Sequence, residues 1–201
     1  VHCNCICVSS MVNNDYKLYE IDPIHCGIDH DKLVQYVDMS KAKFEHLFDD
    51  KTHDTGFYYL YNFFSIASCN KDTYNLYLAI VKCIKDYFEV NNIPKDNVWM
   101  QMWMNIHNKD QVLKSHSHDF PYHGYFSLTP QKTDTVFQDK INGKELYRIK
   151  NSPYQVYIGV GSRPHYVDVL EDYTDKRITF GFDIQTNELV TGNFSFIPIV
   201  L

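Results

Sequence analysis

Two histidines one residue apart, His116 and His118, are followed 47 residues later by His165, and Arg177 comes twelve residues after that. In an extended segment, side chains at i and i+2 point to the same side of the chain. His116 and His118 would therefore offer two imidazoles to one divalent metal ion. His165 follows Gly161-Ser162-Arg163-Pro164, a turn that delivers the next residue to the start of a strand. Three imidazoles suit zinc and copper as well as iron. Residues 177–184 alternate: Ile178, Phe180, Phe182 and Ile184 make one face apolar, and Arg177 leads the other face ahead of Thr179, Gly181 and Asp183. Taken singly, each feature has an ordinary reading. A histidine pair in a loop is usually solvated, and Arg177 could pair with Asp175 or Asp183. Order and spacing together single them out, whereas His25, His30, His46, His53 and His107 show no such pattern. No nucleophile elbow, phosphate loop, Cys-x-x-Cys pair or paired-carboxylate motif competes with them.

The elements that must position these side chains fall into two halves. Residues 29–49 carry Leu33, Val34, Val37, Phe44, Leu47 and Phe48 at roughly helical spacing. Residues 72–90 predict a stronger helix, with Asp72 as N-cap and a stripe of Leu76, Ile80, Val81, Ile84, Tyr87 and Phe88, stopped by Asn91-Asn92 and Pro94. The pattern then changes to strands at 98–107, 122–128, 133–137, 145–149, 155–160, 165–170, 177–184 and 194–201, with Asn142-Gly143 as a hairpin signal. Helices first and short strands afterwards predict an α+β fold in which the helices pack outside a jelly-roll or cupin-like β-barrel. The whole chain, 1–201, reads as one domain, mainly helical over 11–94 and β-barrel over 95–201. Residues 1–10 look foreign to the rest, with Met11 as a candidate start.

The composition is that of a globular protein, with 44% hydrophobic and 22% charged residues over 201 positions. The net charge of −6 argues against nucleic-acid or membrane-surface partners, which require a basic footprint. No apolar run reaches the ~18 residues of a membrane span, and no secretion signal precedes Ser10. A cytoplasmic protein is expected, or one of the host cytoplasm if the source is viral. Cys3, Cys5, Cys7, Cys26, Cys69 and Cys83 then read as free thiols. A Cys-x-Cys-x-Cys strand could gather soft-metal ligands, but no fourth ligand is near. Tyr, Asn, Asp and Lys abound beside only three alanines and three arginines, the codon bias of an AT-rich genome such as that of a phage, another virus or some marine microbes.

The order of chemical residues over 98–185 resembles the Fe(II)- and 2-oxoglutarate-dependent oxygenases. It resembles most a subgroup found in phage and marine bacterial sequences. Trp103-Met104-Asn105, His116-Ser117-His118 and His123-Gly124-Tyr125-Phe126-Ser127 stand where that subgroup has Trp-x-Asn, His-x-His and a Ser-Gly-Val-Tyr-Tyr type strand. His165-Tyr166-Val167 and Arg177-Ile178-Thr179 match the end of the pattern. The resemblance implies a double-stranded β-helix with Fe(II) as cofactor and 2-oxoglutarate as cosubstrate. It implies hydroxylation of a substrate that is a small molecule or a peptide, such as a prolyl or other peptidyl residue. It also implies that Arg177 anchors the far carboxylate of 2-oxoglutarate by two hydrogen bonds that Lys could not make. Thr179 would add a hydroxyl, and Tyr125 and Tyr157 are further candidates for support.

The family's His-x-Asp pair is absent, because position 118 is His. Three ligand sets stay open: His116, His118 and His165; one histidine of the pair with Asp119, turned inward by a bulge, and His165; or two histidines with water. A non-enzymatic jelly roll, either a viral structural or accessory protein or a metal binder, is the rival reading. It has no need of an inward-facing arginine beside the histidines, so the placement of Arg177 separates the two.

Overall fold

The alternation at 177–184 forms the centre of a sheet. In the computed structural model, which describes residues 15–48, 61–67, 70–111, 113–187, 190 and 195–201, β8 (Arg177–Gln185) runs antiparallel to both β2 (Trp99–His107) and β3 (Tyr122–Thr129). With β6 (Gln155–Val160), β1 (Tyr16–Glu20) and β9 (Phe196–Pro198), these strands make a six-stranded sheet in the order β1-β6-β3-β8-β2-β9. A second antiparallel sheet has the order β5-β4-β7, with β4 at Thr133–Gln138, β5 at Glu145–Lys150 and β7 at His165–Val169. Asp139 caps the tight turn between β4 and β5, where Gly143 takes φ 69°, as the Asn-Gly signal predicts. The expected leader at 1–10, with Cys3, Cys5 and Cys7, lies outside the described residues, as do His53 and Cys69.

Period two gives the larger sheet two different faces. Met100, Met102, Met104, Phe126, Phe180 and Phe182 join the helices in the main core. Tyr125 and Tyr157 on the opposite face meet Phe137 and Ile149 of the smaller sheet. The helices are α1 (Pro23–Cys26), α2 (His30–Phe48), α3 (Phe63–Ala67) and α4 (Lys71–Val90). Leu76, Ile80, Ile84 and Phe88 of α4 are fully buried. Each such side chain contributes about 1.5–3 kcal/mol of apolar transfer. The Phe63 ring lies 4.5 Å from that of Phe180, which docks α3 on β8. Helices and two antiparallel sheets in this arrangement are consistent with a jelly roll. Among the described residues, no helix is long and apolar enough to cross a membrane.

Three expectations are corrected. The N-cap of α4 is Asn70, whose side-chain Oδ1 accepts from the backbone N–H groups of Asp72 and Thr73 at 2.7 and 3.4 Å. Asp72 lies inside the first turn, and its carboxylate accepts instead from the Asp29 N–H, 2.8 Å away at the start of α2. Cys83 is a buried cysteine, but Cys26 is disulfide-bonded, against the expectation of a thiol. Which thiols meet is decided by long-range packing that spacing does not encode. The short strand β1 was not expected, because Tyr16 to Glu20 shows no clean alternation. Its ladder with β6, from Tyr16–Gly159 to Glu20–Gln155, holds it in place.

Candidate metal centre

A strand bridge brings the sequence-distant histidines together. The His116 N–H donates to the His165 carbonyl at 3.0 Å, and the His165 N–H donates to the His116 carbonyl at 2.8 Å. This pairing extends the smaller sheet beyond β7 and sets the two rings 4.5 Å apart. The next turn of chain is fixed by Gly161. Its carbonyl accepts from the His118 N–H at 2.9 Å, and its own N–H donates to the Pro121 carbonyl at 3.0 Å. A Cβ at position 161 would lie 2.1 Å from the Phe120 carbonyl oxygen, so only glycine lets the two backbones approach this closely. We expect Gly161→Ala to push the 116–121 loop away, lowering stability by about 2 kcal/mol. Co(II) affinity should fall about tenfold, a loss of about 1.4 kcal/mol, and a thermal melt and a Co(II) titration would measure the two effects.

One ring nitrogen of each of His116, His118 and His165 lies within 4.8 Å of the other two. Nδ1 of every ring already has a partner. Nδ1 of His116 lies 2.8 Å from the Lys114 carbonyl, Nδ1 of His165 3.2 Å from the Arg163 carbonyl, and Nδ1 of His118 2.9 Å from Asp183 Oδ1. Acceptors at all three positions hold the protons on Nδ1 and leave Nε2 as a lone pair. Nε2 of His118 is buried with no hydrogen-bond partner. A buried nitrogen without a partner is costly, and a metal ion between the three rings would satisfy it. The residues present therefore fit a three-histidine metal centre.

A second grouping, His118, His123 and Asp183, shares one histidine with the first. Hydrogen bonds account for it. His123 is the direct cross-strand partner of Asp183, and its Nδ1 lies 3.1 Å from the same Oδ1 that accepts from His118. The rings of His118 and His123 stack at 3.7 Å and 12°, face to face rather than converging on one point. Trp103 lies beside this pair, with its ring 5.8 Å from that of His118 and 6.2 Å from that of His123. Gly181 makes room for that indole, since a Cβ there would lie 2.5 Å from Trp103 Cζ2.

Electrostatics favours the neutral imidazole that binds metals. Burial holds His165 well below the ordinary histidine value, and the positive charge that His123, His116 and His118 can carry adds to the effect. Burial also lowers His116, and it brings His123 to about 4, with His118 adding to the shift and Asp183 opposing it. Burial pushes Asp183 upward, but hydrogen bonds from His118 and His123 outweigh this and keep its carboxyl below the ordinary carboxylate value.

Arg177 opens onto the same cavity as the histidines, a space of about 230 Å³ that Tyr125, Thr135 and Thr179 also line. It is 3% exposed. Arg148 is held by Asp168, Asp134 and Glu145, and Arg163 by Asp15. Arg177 has no carboxylate partner among the described residues, and its Nε is buried without a hydrogen-bond partner. Burial lowers it to about 10, against the pull of Tyr173 and Tyr125. The alternative pairing with Asp175 or Asp183 does not occur: Asp183 stands six residues along the same face, held by the histidines. A buried cation that faces a cavity without a counter-charge is an anion site.

The other predicted site residues divide. Thr179 and Tyr125 are buried in the cavity wall, with the Tyr125 hydroxyl donating to Asn151 Oδ1 at 3.1 Å. Tyr157 does not line the cavity, and its hydroxyl faces that of Tyr147 at 3.3 Å. Asp119 is exposed and belongs to neither ligand grouping. It lies on a bend beyond the His116 bridge and lines the same cavity from its exposed side. The carboxylate that meets the histidines is Asp183, which the sequence places on the polar face of its strand without assigning it to the centre.

No protein-family model matches this chain, and no curated protein does. Solved structures with partial likeness exist. An oxidoreductase of the 2OG-Fe(II) oxygenase family from Burkholderia pseudomallei is 12% identical, with half of each chain covered and a TM-score of 0.42. IDO from Bacillus thuringiensis is 14% identical over 59% of this chain and 60% of its own, with a TM-score of 0.43. A full-length Neurospora crassa protein in complex with alpha-KG is 12% identical over 58% of this chain and 46% of its own, with a TM-score of 0.43. The chain spans between half and three fifths of the length of the first two. Likeness of this degree carries no weight for activity, which has to be read from the site itself.

Proposed function

We propose that this chain is an Fe(II)- and 2-oxoglutarate-dependent oxygenase built on a double-stranded β-helix, with His116, His118 and His165 as metal ligands and Arg177 as the anchor of the cosubstrate. The observation that carries the reading is Arg177, a buried cation without a carboxylate partner among the described residues, in the cavity that the three histidines share. A dicarboxylate that reaches from the metal to the guanidinium supplies the missing charge. Thr179 stands in the same wall to offer a hydroxyl to that carboxylate, whereas the Tyr125 hydroxyl donates to Asn151. The winding supports the fold assignment. From β2 onward the chain passes between the sheets: β2 in the larger, the His116 bridge in the smaller, β3 in the larger, β4 and β5 in the smaller, then β6, β7 and β8 alternately.

Fe(II) in this centre would couple decarboxylation of 2-oxoglutarate to succinate and CO₂, using O₂, to oxidation of a substrate C–H bond. The protein contributes placement. The three Nδ1 acceptors aim the lone pairs, and the buried walls exclude water. Hydroxylation of a peptidyl residue in a cytoplasmic setting, within the phage and marine bacterial subgroup, completes the proposal.

Incubation of the iron-loaded protein with 2-oxoglutarate, ascorbate and O₂ should release succinate, and His165→Ala protein should release none. Absence of succinate from wild-type protein shown to hold one iron per chain would count against the reading. Asp119→Asn should leave Co(II) affinity within threefold of wild type, because Asp119 is exposed and outside the ligand set. A loss like that of His165→Ala in the same titration would restore Asp119 as a ligand.

A further inference from the structure

We propose that Asp183 is a positioning residue for the metal centre, acting through His118: its carboxylate fixes the tautomer and the ring plane of that ligand and supplies, one hydrogen bond removed from the metal, the negative charge that the ligand set lacks. The proposal rests on the three-histidine reading above. Asp183 is 2% exposed and sits on β8, the strand that begins with Arg177. Its Oδ1 lies 2.9 Å from Nδ1 of His118 and 3.1 Å from Nδ1 of His123.

The three ligand rings are not supported alike. The acceptors behind His116 and His165 are neutral backbone carbonyls, on Lys114 and Arg163. Only His118 is backed by a carboxylate, which is roughly twice as strong an acceptor as a neutral group. A carboxylate on Nδ1–H makes the distal Nε2 more basic and fixes the direction of its lone pair. His123 completes the device. It takes the second hydrogen bond to the same oxygen and stacks flat on His118 at 3.7 Å, so the ring can neither flip nor swing. Trp103 flanks the stacked pair, 5.8 Å from His118 and 6.2 Å from His123. Position 118 thus carries an imidazole where the resembled family has a ligating carboxylate, and a carboxylate stands directly behind that imidazole.

Co(II) titration of metal-free protein tests this, with the visible spectrum of the bound ion as a second readout and the melting temperature of the metal-free protein as a control for folding. The full chain is used as wild type, Asp183→Asn, Asp183→Ala and His165→Ala. Wild type should bind one Co(II). Asp183→Ala should bind it 10- to 100-fold more weakly, and Asp183→Asn, which keeps an acceptor but loses the charge, should fall between. The Co(II) bands should stay those of a nitrogen-ligated ion in both. Should Asp183→Ala fail to fold, the isosteric Asp183→Asn decides on the same criteria. Affinity within threefold of wild type in both variants would overturn the proposal. So would a loss as complete as in His165→Ala together with altered bands, since Asp183 would then be a ligand itself. A wild-type protein that binds no Co(II), or a His165→Ala protein that binds it as well as wild type, overturns the three-histidine reading and this proposal with it.

Discussion

Replacing His165 with alanine should cost the protein its metal. In the proposed centre three imidazoles would share the ion, and removing one of them would cost about 3 kcal/mol, or 100-fold or more in affinity. The size of the effect follows from the site's construction. His165 is 6% exposed and stands at the start of β7 beside Phe137, whose ring lies 5.3 Å away. The strand bridge to His116 is made by backbone groups alone, so the alanine variant keeps both of its hydrogen bonds. Loss of metal should therefore come without loss of the fold. A Co(II) titration beside a melt of the metal-free protein measures the two separately. Unchanged Co(II) affinity with an intact fold would remove His165 from the centre.

The second large effect is expected at Arg177, and it has two signs. Arg177→Met should lower 2-oxoglutarate affinity of the metal-loaded protein by about 100-fold or more, since truncating one partner of a buried charge pair costs about 2–5 kcal/mol. The same substitution should raise the melting temperature of the metal-free protein by a few degrees. An unpaired buried guanidinium carries a desolvation cost without a compensating charge, and a hydrophobic side chain of similar volume removes it. At this chain length about 1 kcal/mol corresponds to roughly 2–4 °C. An arginine kept for structure behaves in the opposite way, because its loss destabilises. Metal affinity should stay near wild type, as Arg177 belongs to neither ligand grouping. Calorimetric titration of 2-oxoglutarate and a melt of the metal-free variant together separate the two roles.

Much of the centre is legible in the sequence because strand periodicity is simple. The spacing of His116 and His118, the turn before His165 and the alternation after Arg177 each follow from local rules, and the structure brings all four side chains to one cavity. What escaped depends on register. His123 and Asp183 lie sixty residues apart and meet only because β3 and β8 pair with those two residues opposite each other. A one-residue slip would turn both side chains to the other face. The signal available in advance was that Asp183 shares a face with Arg177 and Thr179, and that face proves to be the inner one. Tyr157 shows the converse: its type and strand fitted a role beside the cosubstrate, but stacking against Tyr125 at 5.2 Å and Phe137 at 4.7 Å holds it in the core between the sheets. The cap of α4 falls two residues before Asp72: Asp72 and Asn70 are both good caps, and only the approach of α2 shows which N–H each one serves.

The most direct test of a combined metal and 2-oxo-acid site is an anaerobic titration of 2-oxoglutarate into the Fe(II)-loaded protein, followed by visible absorption. Chelation of Fe(II) by the 2-oxo acid produces a charge-transfer band that requires neither O₂ nor the oxidisable substrate. This band should saturate at one 2-oxoglutarate per iron in the wild type. It should be absent from His165→Ala and should shift to far higher 2-oxoglutarate concentrations in Arg177→Met. A wild-type protein that holds one Fe(II) and develops no band, or an Arg177→Met protein that titrates like the wild type, would contradict a combined site.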